Sequence, residues 1–392
     1  MTTTRALGLS SLSVHAGEPS PAVGPLEAPL VLSSAFGFAS AEEAEGAFRG
    51  DNDAYVYGRW GNPNVELLER KVAALEGARD AAAAASGMAA ISGALLSVCG
   101  QGDHVVAPRS IYGETPRLLR ERLPRLGITT TFVDDVSPEG YRAALGPHTR
   151  VVYVETPSNP TLAVTDVAAV AEVARRAGAL SIVDNTFATP YCQRPLELGV
   201  DLVVHSMTKF LCGHGDAIGG VVAGDRELVE RARELTVKGL GGALAPFNAL
   251  LICRGLRTFA LRMRAATATA TSLAARLSSH PAVRRVHHPS LPAHPGHAIA
   301  SRQMRAMPAI LSFEVADLGA ARRVRDGVRL VTHAVSLGDA RTLLTHPAST
   351  TASTMPAEDR ARAGVTDGLL RLAVGIEDED DLYADLDRAL GG

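Results

Sequence analysis

The chain has 392 residues, 46% of them apolar and 21% charged, which is the balance of an ordinary globular protein rather than a fibrous or disordered one. A formal charge of −3 with scattered Lys and Arg excludes an electrostatic nucleic-acid binder, and no apolar run approaches the roughly 18 residues of a membrane-spanning helix. The length exceeds what a single core usually holds, so two domains are expected.

In chain order, Met1–Ser13 lacks a basic-then-apolar leader pattern. The first sixty residues are rich in Ser, Pro, Gly and Ala and read as an irregular arm, with Phe36, Phe38, Tyr55 and Tyr57 as side chains that need burial. The Ala81–Ala85 run reads as packed, and Met88–Cys99 as an apolar helix opened by Ser86-Gly87. His104–Pro108, Arg150–Glu155, Leu180–Asn185 and Asp201–Ser206 are short and β-branched, so buried strands are expected there. Between them Asp166–Ala177 places Val167, Val170, Ala171 and Ala174 at helical spacing. Strand, helix and strand in that rhythm imply right-handed crossovers and a mainly parallel sheet. Beyond Gly255 the rhythm changes: Leu256–Ser279 reads as one connecting helix, Val283–His288, Ile310–Val315, Arg329–Ser336 and Leu370–Ile376 as strands of a smaller α/β domain, and Asp380–Leu390 as a closing helix. Cys99, Cys192, Cys212 and Cys253 form no CxxC pair and read as reduced thiols, so neither a disulfide framework nor a metal site is expected, and the location expected is cytoplasmic.

Polar residues at the ends of apolar strands mark where open α/β sheets bind ligands. Asp184 ends such a strand, and its carboxylate needs a cation or several donors if buried; a capping or salt-bridged structural aspartate fits as well. Lys209 follows another, flanked by Ser206 and Thr208, with Gly213, Gly215, Gly219 and Gly220 close behind. A lone lysine there is ordinarily solvated, but hydroxyls and permissive backbone make a phosphate cradle beside a reactive amine. Ser86-Gly87-Met88 reads either as a plain N-cap or as a phosphate site at a helix N-terminus. Gly239-Leu240-Gly241 has Leu244 where a dinucleotide fingerprint needs its third glycine, which excludes that motif.

Taken together, Tyr57-Gly58-Arg59-Trp60-Gly61-Asn62-Pro63, Ala85-Ser86-Gly87-Met88, Glu155-Thr156-Pro157-Ser158-Asn159-Pro160, Val183-Asp184-Asn185-Thr186, Gln193-Arg194-Pro195-Leu196-Glu197-Leu198-Gly199 and His205-Ser206-Met207-Thr208-Lys209-Phe210 resemble the Cys/Met-metabolism family of pyridoxal-phosphate enzymes. The resemblance runs in order from about residue 10 to the end. It implies an aspartate-aminotransferase-like α/β fold (fold type I), with an arm over 1–60 that contributes to a neighbouring active site, a cofactor domain over 61–255 and a smaller C-terminal α/β domain over 256–392. It also implies a homotetramer of two catalytic dimers. By position, Lys209 matches the lysine that bonds pyridoxal 5'-phosphate covalently, and Asp184 the partner of the pyridine nitrogen. Gly87, Met88, Ser206 and Thr208 match the phosphate cup. Tyr57 and Arg59 match residues that reach the phosphate from another subunit, Tyr112 matches the tyrosine stacked on the ring, and Asn159, Ser336 and Arg371 match the groups around the substrate carboxylate.

Within the family, Gly213-His214-Gly215-Asp216 and Ala334-Val335-Ser336-Leu337-Gly338-Asp339 look like methionine γ-lyase, and the apolar Val335 favours an uncharged substrate tail. Glu114 stands where those lyases carry a cysteine, Arg117 resembles the arginine that cystathionine enzymes use for a distal carboxylate, and Pro246-Phe247-Asn248-Ala249 looks like the sulfhydrylases. The expected activity is a carbon–sulfur γ-lyase on methionine or cystathionine, with γ-replacement (cystathionine γ-synthase or homoserine-ester sulfhydrylase) as the alternative.

Overall fold

The computed structural model describes residues 7–18, 25–353, 355 and 357–391; the remainder of the expected arm lies outside the described residues. A seven-stranded sheet is built from β1 (Asp80–Ala84), β2 (His104–Pro108), β3 (Thr129–Val133), β4 (Thr149–Glu155), β5 (Leu180–Asp184), β6 (Leu202–Ser206) and β7 (Gly220–Gly224), in the order β1-β7-β6-β5-β4-β2-β3. Strands β6, β5, β4, β2 and β3 run parallel, and β7 is antiparallel to both β6 and β1. Val105, Val106, Val151, Val152, Val203 and Val204 are fully buried, because helices cover both faces of the parallel core and leave no polar side. The helix Val167–Arg176 begins where the spacing predicts, with the Asp166 carboxylate accepting from the Ala169 N–H at 3.2 Å.

A second sheet follows, β10-β11-β12-β9-β8, from β8 (Arg285–His287), β9 (Ile310–Glu314), β10 (Thr332–His333), β11 (Leu343–Thr345) and β12 (Leu369–Ala373). Three expectations are corrected here. The stretch expected as one helix over 256–279 is instead the end of Pro246–Arg257 and the helix Phe259–Ser278, joined at Thr258 (φ −101°, ψ 4°). The strand expected over 329–336 shrinks to Thr332–His333, because the Asp385 carboxylate takes the N–H groups of Arg329, Leu330 and Val331 at 2.8–3.0 Å and removes them from any ladder. The expected burial of four arm aromatics is also partial: Phe36, Phe38 and Tyr55 are half-buried and Tyr57 is 42% exposed. Among the described residues no helix is long and apolar enough to cross a membrane.

Candidate active site

The carboxyl ends of β4, β5 and β6 deliver Glu155, Asp184 and Ser206 to one cavity of about 610 Å³. The helix Gly87–Leu96 points its N-terminus into the same space, with Ser86 Oγ accepting from the Ala89 N–H at 3.1 Å. The helix approaches β6 so closely that a Cβ on Gly87 would lie 2.7 Å from Ser206 Cβ, so glycine is what lets the unpaired N–H groups reach the cavity. The Thr208 hydroxyl lies alongside, exchanging hydrogen bonds with the Gly219 backbone at 3.1 and 3.3 Å. The other glycines do different work from the cradle expected of them: Gly220 opens β7 against Ser86, while Gly213 and Gly215 pack against Arg262 and Asp339. Gly87, Met88, Ser206 and Thr208 all line the cavity.

Two titratable groups face the same cavity. Lys209 Nζ donates to Ser336 Oγ at 2.7 Å. Burial and the charge of Arg371 bring its ammonium down to about 8, well below the ordinary range of a lysine. The Asp184 carboxylate is pushed up by burial, opposed by the Thr186 N–H at 2.9 Å, and no cationic side chain among the described residues pairs with it. A buried acid without a cation, an amine below its ordinary range and a helix N-terminus with free N–H groups fit the three poles of pyridoxal 5'-phosphate: ring nitrogen, aldehyde and phosphate.

On the opposite wall Arg371 is buried in β12 and, among the described residues, has no carboxylate within ion-pair distance, although the charge of Glu155 reaches it. Its Nη1 donates to Asn159 Oδ1 at 2.9 Å and Nη2 to the Ser336 carbonyl at 2.7 Å, while Nε has no acceptor. Burial lowers its pKa to about 10, and a buried fork with spare donors is a carboxylate receptor. Ser336 sits at φ 94°, a left-handed conformation that costs a non-glycine residue about 1–3 kcal/mol and here aims its carbonyl at Arg371 and its hydroxyl at Lys209. Tyr112 borders the cavity at 42% exposure, its phenol raised by burial and by Glu114.

Glu155 is the residue that sequence reasoning missed. Its carboxylate receives the N–H groups of Tyr112 at 2.8 Å and Asn159 at 3.0 Å, which fixes two walls of the cavity. Burial and the adjacent Asp184 push it up to about 8. The signal was present, since Glu155 ends an apolar strand as Asp184 does and lies opposite it in register.

Three expected residues lie elsewhere. Arg117 is exposed and pairs along its own helical turn with Glu121 at 3.2 Å, so it does not reach the cavity. Tyr57 and Arg59 also stay outside: Arg59 stacks 5.4 Å over the Tyr57 ring and donates to the Lys238 carbonyl in a separate pocket beside Trp60. A larger, shallow depression of about 1230 Å³ around Arg79, Asp225 and Glu230 contains none of these groups; converging buried charge, not volume, singles out the Lys209 cavity. Among the described residues no cluster of His, Cys, Asp and Glu could hold a metal ion.

Comparisons with known proteins agree with this geometry. The family model described as "Cys/Met metabolism PLP-dependent enzyme" matches residues 10–391. The L-methionine gamma-lyase of Fusobacterium nucleatum subsp. polymorphum is 44% identical over 390 residues, covering 99% of each chain. The O-succinylhomoserine sulfhydrylase of Pseudomonas aeruginosa is 42% identical over 381 residues, 97% of this chain and 94% of that one. Among solved structures, the cystathionine gamma synthase of Xanthomonas oryzae pv. oryzae, in complex with aminoacrylate and cysteine, superposes with a TM-score of 0.93 at 40% identity over 98% of both chains. An O-acetylhomoserine (thiol)-lyase of Campylobacter jejuni described as putative, with a pyridoxyl-lysine monophosphate, gives 0.94 at 30% identity over 98% of this chain and 100% of that one. A match this long, over a cavity with a lysine, an aspartate and a phosphate corner, places the chain in the Cys/Met-metabolism family of pyridoxal-phosphate-dependent enzymes.

Proposed function

We propose that the enzyme is a carbon–sulfur γ-lyase acting on L-methionine, with L-cystathionine the poorer substrate, releasing a 2-oxo acid, ammonia and a thiol. The observation that carries this reading is the charge distribution of the cavity. Among the described residues of its own chain the cavity's cations are Lys209 and Arg371, both at the reacting end, while Met88, Ile91, Ile218, Val335 and Leu337 supply an apolar surface. A distal carboxylate or ammonium would be desolvated there without a partner, which is costly, whereas a thioether would not.

When bound through Lys209, pyridoxal 5'-phosphate supplies a sink for the electrons left behind as a proton leaves the substrate. The chain does the rest. Arg371 and Asn159 would hold the α-carboxylate, through guanidinium N–H groups that the chain itself leaves unpaired. Once the substrate amine had taken its place on the cofactor, the freed Lys209 Nζ would be the base for the α-proton, with Ser336 Oγ holding it in place. Asp184 would hold the ring nitrogen and favour its protonated form, and the helix N-terminus with Ser206 and Thr208 would hold the phosphate. The Tyr112 hydroxyl, at the cavity edge, serves proton transfer at the departing sulfur. Tyr57 and Arg59, outside the cavity of their own chain, complete that of a neighbour in a homotetramer built from catalytic dimers; the arm over 1–60 and domains over 61–255 and 256–392 are the units of that assembly.

Gamma-replacement is the second reading, favoured by the 42% identity to a homoserine-ester sulfhydrylase. Product analysis with O-succinylhomoserine and excess thiol separates the two. A lyase continues to release 2-oxobutyrate under excess thiol; a new thioether as the main product would reverse the ranking.

A further inference from the structure

Lys209 lies on a loop, and the group that fixes the loop is outside the cavity. Arg262, the fourth residue of the helix Phe259–Ser278, is 8% exposed and has no ion-pair partner among the described residues. Its donors go to neutral oxygens instead. Nη1 reaches the Phe210 carbonyl at 2.8 Å, Nη2 the carbonyls of Gly255 at 2.9 Å and Leu211 at 3.4 Å, and Nε the Thr258 hydroxyl at 3.1 Å. Phe210 and Leu211 are the two residues after Lys209, and Gly255 and Thr258 flank the joint between the two long helices.

Burying a guanidinium without a counter-charge is expensive, and an apolar side chain of similar volume would fill the space at less cost. What an apolar group cannot do is hold backbone carbonyls of two segments in one rigid plane. The surroundings are shaped to this fork. At Gly213, where φ is +73°, a Cβ would lie 1.9 Å from Arg262 Nη1. At Gly255 a Cβ would lie 2.0 Å from the Cys212 carbonyl oxygen, and at Gly338, on the loop beyond Ser336, 2.4 Å from the Phe210 nitrogen. The lysine loop is thus held between the Ser336 loop on one side and the helix joint on the other, with Arg262 supplying the hydrogen bonds.

We propose that Arg262 is a positioning residue for Lys209: its guanidinium locks the backbone following the lysine to the helix joint and keeps Nζ at Ser336 and over the substrate. The inference rests on Lys209 being the reacting amine. It requires the geometry of the fork, so a lysine that keeps only the charge does not replace it.

The test uses the holoenzyme with Arg262→Lys and Arg262→Gln, reading thermal unfolding, hydrogen exchange of peptides over 209–215 and 265–278, and kcat and KM. The expected result is kcat lower by about ten-fold or more, with KM shifted less than about three-fold, and faster exchange confined to 209–215. Wild-type kcat and exchange in folded Arg262→Lys would overturn the proposal, as would faster exchange in both peptides with kcat per folded protein unchanged. If neither variant folds, Thr258→Val at the exposed joint removes the Nε acceptor, together with the hydroxyl's own bond to the Gly255 carbonyl, and leaves Arg262 in place. Faster exchange over 209–215 with reduced kcat then supports the proposal, and wild-type behaviour in both refutes it. Failure of the underlying assignment is distinguishable, because Lys209→Ala would then retain cofactor absorbance and turnover whatever Arg262 does.

Discussion

Replacing Arg371 tests how the cavity holds a substrate carboxylate. Its Nη1 and Nη2 are committed to Asn159 and to the Ser336 carbonyl, and Nε is the donor without an acceptor. Arg371→Lys keeps a cation but loses the planar fork, so the carboxylate forfeits about one charge-assisted hydrogen bond, worth about 1.5–3 kcal/mol. At a factor of ten per 1.36 kcal/mol, kcat/KM should fall by about 10- to 100-fold. Arg371→Ala removes both the charge and the hydrogen bonds and should fall further, by about 100-fold or more. Stability should fall as well, because truncation leaves Asn159 Oδ1 and the Ser336 carbonyl without their donor and removes a positive charge that acts on buried Glu155, so kcat/KM is taken per folded protein. Steady-state kinetics on L-methionine alongside thermal unfolding reads both effects. A folded Arg371→Lys variant with kcat/KM within about three-fold of the parent would refute the carboxylate role.

Lys209→Ala should remain folded yet lose cofactor absorbance and nearly all turnover; full activity would end the assignment of the reacting amine. Arg117→Ala should leave the ratio of rates on methionine and cystathionine unchanged, since Arg117 pairs with Glu121 outside the cavity, and a selective loss on cystathionine would show that it reaches the substrate. His288 is buried against Ser290 and the Pro308 carbonyl, and burial lowers it from 6.5 to about 4. As pH falls from 6.5 towards 4 the unfolded chain takes up this proton first, so stability present above 6.5 declines through that window by about 3 kcal/mol from this residue. Urea unfolding of the parent and His288→Gln across pH 7 to 4 should show a shallower decline in the variant, and identical slopes would refute the attribution.

The sequence was most readable where chemistry and burial coincide. Val105-Val106 and Ile182-Val183 are continuous apolar runs because both sheet faces are covered, and β2 occupies the expected range while β5 ends one residue early at Asp184. Strand β1 was hidden because alanine carries little strand preference, and β7 because glycines bound its two valines; at Gly220 the Ser86 backbone comes so close that a Cβ would meet its carbonyl at 2.0 Å. The loop over 329–336 was unreadable because its N–H groups are captured by Asp385, more than fifty residues away. In the site, Lys209 and Asp184 announced themselves by strand-end position, whereas the role of Glu155 depends on where two distant N–H groups converge. Arg117 misled for the reverse reason: type and position suggested a ligand, but its helical turn supplies Glu121 first.

The most direct test of the central claim is 2-oxobutyrate release by the purified holoenzyme from L-methionine and then L-cystathionine, with no added nucleophile. The cavity's apolar surface, with Lys209 and Arg371 as the cations its own chain supplies among the described residues, predicts rapid release from methionine and slower release from cystathionine. Little or no 2-oxo acid from either substrate, with the cofactor spectrum intact, would contradict the lyase reading and leave γ-replacement in its place.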